Sequence, residues 1–122
     1  MPIPWSGDQP PFGVGPGDGQ PWIPQPDSWK SLTVEAQQDD PDSTLSFYRA
    51  ALRHRRSHAT PAGQVVEIQG TGADVLTFRR GALTVVLNCG ETPVELPAGE
   101  LLHSSGPVDD GRLPPDTAAW LA

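Results

Sequence analysis

The stretch DDPDSTLSFYRAALRHRRSH, residues 39–58, decides how the rest of the chain is read. Its chemistry predicts a helix from both ends. Asp40 is suited to cap the first turn, and Pro41 suits the first helical position, where its missing N–H would lack a partner anyway. Asp42 places negative charge near the positive end of the helix dipole, while Arg53, Arg55 and Arg56 sit near the negative end. Leu45, Tyr48, Leu52 and Arg55 recur with helical spacing, and Phe47 and Ala51 widen the apolar stripe. Such a stripe needs a surface to cover it.

On the N-terminal side lies MPIPWSGDQPPFGVGPGDGQPWIPQPD, residues 1–27. Its prolines exclude a helix, and no alternating run is long enough for a strand. Disordered segments are usually poor in aromatics, yet this one carries Trp5, Phe12, Trp22 and Ile23, with Trp29 just beyond. The composition predicts a proline-stiffened loop pinned to a surface outside this sequence. Its glycines at 13, 15 and 17 follow no strand, open no helix and carry no lysine, so they do not make a phosphate loop. Residues 31–38, SLTVEAQQ, are expected to form an extended lead-in to the helix, with Leu32 and Val34 on one side.

On the C-terminal side, Pro61 and Gly63 stop the helix and the pattern turns to strands. QVVEIQ (64–69), DVLTFR (74–79) and ALTVVLNC (82–89) are separated by glycine-containing turns, and the last is apolar enough for a central strand. Shorter runs follow at 94–96 and 100–103, then a polar turn with Asp109, Asp110 and Gly111, and a last strand at 117–121 carrying Trp120. About six short strands joined by tight turns predict a mainly β fold, an antiparallel sandwich.

Composition narrows the function. The 122 residues carry a net charge of −7 with only 36% hydrophobic residues, against 15 prolines and 13 glycines. An acidic chain whose basic residues cluster only at one helix end is not built for nucleic acid. No apolar run approaches the length of a membrane span, and the N-terminus lacks the basic and apolar regions of a signal peptide. The single cysteine, Cys89, cannot form an internal disulfide. Its apolar surroundings predict a buried structural thiol, compatible with a cytoplasmic location.

The order of these pieces resembles the C-terminal portion of an alpha-glucosidase, in the oligo-1,6-glucosidase and maltase-like branch of the alpha-amylase superfamily. The residues carrying the resemblance are Pro4-Trp5, Phe12-Gly13, Gln20-Pro21-Trp22-Ile23, Thr33-Val34-Glu35-Ala36-Gln37, and the run from Asp40-Pro41-Asp42-Ser43 through Tyr48-Arg49 to Arg55-Arg56. The first half of the chain matches with high specificity, and residues after Ala62 agree more in strand layout than in motif. The resemblance implies a division into a barrel rim loop and lead-in (1–38), the last helix of a (β/α)8 barrel (39–58) and a C-terminal antiparallel β-sandwich domain (61–122). It also implies that the missing partner surface is the barrel itself. Members of that family are retaining glycoside hydrolases of carbohydrate metabolism, with paired carboxylates and a third aspartate. Nothing in this chain matches those motifs, and the arginine that typically precedes the proline–tryptophan loop is also missing. Because Met1 falls inside a motif, the chain reads as a truncated product or a misplaced start.

No catalytic residue, metal site or cofactor is therefore expected. Asp39, Asp40 and Asp42 are better explained by helix capping than by a cation. Asp109 and Asp110 read as solvated turn residues rather than an acid–base pair. His54 and His58 have a spacing that can bind zinc on a helix, but no adjoining glutamate motif. With His103 and Cys89 they show no metal spacing, and dipole complementation is the role assigned to them. The candidates for contact with an oligosaccharide substrate of the parent enzyme are Trp5, Phe12 and Trp22, whose flat rings suit a sugar's C–H surface. The same rings would also serve simply to pin the loop. The expected partners are that substrate and the missing barrel domain, with self-association of the uncovered helix. The alternative reading is a free-standing, non-catalytic β-sandwich module that binds carbohydrate or protein.

Overall fold

The computed structural model describes residues 2–15, 19, 21–59, 67–70 and 72–122, the strand at 67–70 by its backbone alone. It divides into two units, Met1–Ala50 and Ala51–Ala122.

The first unit contains a 3-10 helix at Asp27–Leu32, the short helix α1 at Val34–Gln37 and the first turns of α2, which spans Thr44–His58. The lead-in expected to be extended is thus helical on both sides of Thr33. The reason is a cap. Thr33 is extended (φ −64°, ψ 150°), and its Oγ1 accepts from the N–H of Ala36 at 3.1 Å. A hydroxyl that satisfies an otherwise unpaired first-turn donor outweighs the weak alternation of four residues. Thr33 is also 1% exposed, so the cap operates away from competing water.

Helix α2 starts at Thr44, three residues later than Asp40 as its cap would require. Ser43 is the residue in that role, its Oγ accepting from the N–H of Ser46 at 3.2 Å. Gln37 contributes a second acceptor, its Oε1 taking the N–H of Leu45 at 3.1 Å. Asp40 caps a separate turn just before the helix, accepting from the N–H of Asp42 at 2.9 Å through Oδ1. Pro41 sits in that turn. The DPDS run therefore holds two successive caps, and the serine belongs to the helix.

In the second unit the strands are β1 (Glu67–Gly70), β2 (Val75–Arg80), β3 (Leu83–Asn88), β4 (Val94–Glu95), β5 (Leu101–Ser104), β6 (Arg112–Leu113) and β7 (Thr117–Leu121). They form a five-stranded antiparallel sheet in the order β1-β2-β3-β7-β5 and a two-stranded sheet β4-β6. The mainly β, antiparallel class read from the sequence holds. Its stop signals Pro61 and Gly63, and the first residues of the 64–69 run, lie outside the described residues.

Alternation sets the core. Val86 on β3 pairs with Ala119 on β7, and Leu121 lies two residues further on the same face. These three, with Leu113 from β6, are buried and are flanked by Val75, Val94, Leu96 and Val108. The small sheet thus covers one face of the large one. Burying a Val or Leu side chain contributes about 1.5–3 kcal/mol, so a core this small leaves stability sensitive to single contacts.

The expected buried thiol is corrected here. Cys89 is exposed, because β3 ends one residue earlier and the inward position falls to Asn88, which is 0% exposed. Its Nδ2 donates to the carbonyls of Thr92 (2.9 Å), Leu113 (3.1 Å) and Pro114 (3.0 Å), and its Oδ1 accepts from the N–H of Gly90 at 3.0 Å. One amide thereby joins the end of β3, the following turn and the exit of β6. A buried polar group is tolerated when it is this fully paired.

The polar turn at Asp109–Gly111 is also defined. Asp110 (φ 48°) and Gly111 (φ 71°) are both left-handed, and Arg112 N–H donates to Asp109 O at 2.9 Å. Two consecutive positive φ values are the hairpin pattern that favours Asp-Gly.

Candidate functional site

In the first unit the proline-rich loop is tied down by its own backbone. The N–H groups of Trp5 and Ser6 both reach the carbonyl of Phe12, at 2.8 and 3.2 Å. On its other side, the carbonyls of Pro4 and Trp5 accept from Val34 and Glu35 at 3.1 and 3.0 Å. Glu35 returns a contact through Oε2, which accepts from the N–H of Gly7 at 2.8 Å. Gly13 is required where the loop closes: a Cβ there would lie 2.7 Å from Ser6 Oγ, and its φ is +67°. Part of the surface that the loop needed is therefore within this chain, contrary to the expectation of an entirely external one.

The three aromatic candidates have different environments. Phe12 is 0% exposed, so its ring has no face left for a sugar and serves to anchor the loop. Trp5 is 56% exposed and Trp22 is 97% exposed. Trp22 and Trp29 line a cavity of about 730 Å³ together with Ile23 and prolines 2, 21, 24 and 26. None of the described lining residues is charged. Gln25 also lines this cavity. It is only 8% exposed, and neither Nε2 nor Oε1 has a hydrogen-bond partner among the described residues. Periodicity and motif carry no signal for Gln25, since its importance lies in what the amide fails to meet.

The helix stripe keeps part of its apolar surface exposed. Phe47, Tyr48 and Leu52 are 37%, 62% and 45% exposed, and no residue of α2 is buried. Phe47 and Tyr48 meet edge to face with centroids 5.9 Å apart.

In the second unit the structure gathers three histidines that the sequence kept apart. His54 and His58 lie one turn apart on α2, with ring centroids at 5.9 Å. The His54 ring is 6.1 Å from that of His103 on β5, which in turn meets Trp120 at 5.9 Å. His58 Nδ1 lies 2.9 Å from the carbonyl of His54. Desolvation, then the positive charge His54 can carry, push the pKa of His103 below its ordinary 6.5. Linear spacing gave no hint of this cluster, because His54 on α2 and His103 on β5 are far apart in the chain. Among the described residues, no group of three His, Cys, Asp or Glu side chains is placed to hold a metal ion. No described helix is long and apolar enough to cross a membrane.

Among the described residues, two pairs of neighbouring carboxylates occupy turns. Asp40 and Asp42 share a turn, and Asp109 and Asp110 form the hairpin corner described above. The described residues offer an aromatic, uncharged hollow, an exposed tryptophan beside it and a partly exposed helix stripe. Those features bind and pack.

Residues 61–120 match the family described as Domain of unknown function (DUF3459). A salivary alpha-glucosidase of Aedes aegypti is 29% identical over 80 residues, covering 62% of this chain and 14% of that protein. Oligo-1,6-glucosidase IMA5 of Saccharomyces cerevisiae is 36% identical over 58 residues, covering 47% of this chain and 10% of that protein. The chain thus spans a small part of the length of the curated relatives it matches. Among solved structures, the alpha-glucosyl transfer enzyme XgtA aligns with 100% of this chain and 25% of its own, at 30% identity and TM-score 0.66. A family GH13_31 enzyme aligns with 98% of this chain and 23% of its own, at 20% identity and TM-score 0.69, a likeness of fold.

Proposed function

Since this chain corresponds in sequence and fold to the C-terminal portion of an alpha-glucosidase-type enzyme, we propose that it works as the non-catalytic end of a glycoside hydrolase acting on alpha-glucosidic oligosaccharides. The observation that carries this reading is the alignment of the whole chain, at 30% identity, with a quarter of an alpha-glucosyl transfer enzyme. In this proposal residues 1–38 are the rim loop, 39–58 the last barrel helix and 61–122 the C-terminal domain. The exposure of Tyr48 and Leu52, 62% and 45%, supports a barrel as their partner, since apolar surface on a folded protein normally has one.

The chain supplies stability and part of the substrate entrance. Trp22 and Trp5 are the rings available to a sugar, stacking on its C–H face. Phe12, closed off, holds the loop in place. Acid, base and nucleophile would come from the remainder of the enzyme, and maltose-like or isomaltose-like chains are the substrate class. The proposed setting is cytoplasmic carbohydrate metabolism.

The test is replacement. The matching quarter of the alpha-glucosyl transfer enzyme is exchanged for residues 1–122, and transfer from a p-nitrophenyl alpha-glucoside is followed. A folded, active chimera is expected, while the isolated chain releases no p-nitrophenol above a blank preparation. Release by the isolated chain, or a chimera that never folds, would refute the proposal, and the second result would favour a free-standing module.

A further inference from the structure

We infer that the hollow around Gln25 is the seat of an extended, uncharged, apolar polypeptide segment from the remainder of the enzyme, with the Gln25 amide clamping its backbone. The inference rests on the proposed place of this chain in a longer protein and adds a recognition element to it. Three observations select the occupant.

The first is Gln25 itself. A primary amide buried with both its donor and its acceptor unpaired is costly, and here both atoms lack partners among the described residues at 8% exposure. Its N–H and C=O complement the C=O and N–H that an extended backbone presents along one edge. The second is the lining. Among the described lining residues, Trp22, Trp29, Ile23 and the surrounding prolines carry no charge, which disfavours acidic or basic ligands because these side chains give their charge no counterpart. The third is the size of what lies outside this chain: it spans 25% of the alpha-glucosyl transfer enzyme and 10% of the yeast oligo-1,6-glucosidase, so a polypeptide partner is at hand.

A sugar fits the hollow less well. A glucosyl unit brings several hydroxyls spread around its ring, and the single amide among the described lining side chains meets only those beside it. Each hydroxyl buried without a partner weakens binding about five- to a hundredfold. A peptide backbone asks for one donor and one acceptor here and buries apolar side chains against the rest. Sugar contact, as proposed above, falls to the exposed outer face of Trp22 and does not need the hollow.

The experiment uses a reversal of sign. In the isolated chain, Gln25→Leu removes two unsatisfied polar atoms and should raise the melting midpoint read from tryptophan fluorescence. In the chimera, where the seat is filled, the same substitution removes a paired amide and should lower the midpoint. Shifts of the same direction in both proteins would overturn the inference. An active chimera indifferent to Gln25→Leu would leave the proposed function standing and remove the seat alone. Were the chimera insoluble, the proposed function would be lost. The seat would then be judged on the isolated chain, from the ¹⁵N shift of the Gln25 side-chain amide titrated with acetyl-Val-Ile-Val-amide to about 1 mM. A saturating shift supports the seat, and none overturns it. An equivalent shift with maltotriose would assign the hollow to sugar, and loss of self-association in Gln25→Leu would assign it to a second copy, either of which refutes the inference.

Discussion

Replacing Asn88 by Ala tests the account of the second unit most directly. The amide has two protons facing three carbonyls, those of Thr92, Leu113 and Pro114, and its oxygen receives the Gly90 N–H. Truncation strands at least two of these groups beside a side chain that was 0% exposed. A buried polar group left unpaired costs about 1–3 kcal/mol, and a small residual cavity adds about 1 kcal/mol. The expected loss is therefore about 3–5 kcal/mol, a large share of the roughly 5–15 kcal/mol typical of a domain. Urea unfolding followed by far-ultraviolet circular dichroism reads it out. With a slope of about 1–3 kcal/mol per molar, the midpoint should fall by roughly 2 M. Asn88→Asp sharpens the test, because it keeps the shape and the acceptor for Gly90 but loses both donors and points a charge at three carbonyls. It should be no more stable than the alanine variant. A midpoint shift below about 0.5 M for Asn88→Ala at unchanged slope, or a wild-type-like Asn88→Asp, would show that the amide does not hold the turn.

Other expectations follow from the histidines and the helix. Since the folded-state pKa of His103 is lowered from 6.5, the unfolded chain binds more protons in the window below 6.5. Stability from this residue is complete above that value and declines as the pH falls towards the folded-state pKa. His103→Gln should flatten this acid limb in urea midpoints measured at successive pH values, and an unchanged limb would count against it. Self-association of the isolated chain should depend on concentration, weaken in Phe47→Ser and stay unchanged in Asp109→Ser, because Phe47 belongs to the partly exposed apolar stripe and Asp109 to a hairpin corner. Sedimentation giving a clean monomer over roughly a hundredfold range of concentration would mean that the stripe contributes no association.

Local sequence was most informative where alternation or capping chemistry acts on adjacent residues. The last strand, Thr117–Leu121, has the bounds that its alternation predicts, and β3 differs from its predicted run by one residue at each end. Errors of a single position were nevertheless decisive. Ending β3 at Asn88 turns the neighbouring thiol outward and puts an amide into the core. At the helix, Asp40 and Ser43 are both competent caps, and only the acceptors offered by Ser43 and Gln37 select between them. The lead-in was misread because Thr33 works through a single hydroxyl, which hydrophobic periodicity does not register. Least legible were the sites that depend on distant partners. The His54–His103 contact joins residues far apart in the chain. Gln25 looks like any polar loop residue until its surroundings are found to lack a partner for it.

The position of β7 has a consequence for the order of events during synthesis. It lies inside the sheet, bonded to β3 on one side and β5 on the other, although it follows the other described strands in sequence. The meander β1-β2-β3 can form from neighbours in sequence as soon as it emerges. β5 has no such recourse, because its ladder is with β7 alone. Until residues 117–121 are made, β3 presents an open edge, β5 is unpaired and half of the Val86, Ala119, Leu121 and Leu113 cluster does not exist. An unpaired edge beside an unfinished core invites wrong partners. β3 and β5 are therefore most exposed to wrong partners in the interval before Thr117–Leu121 joins them, and a pause in translation there would lengthen that exposure.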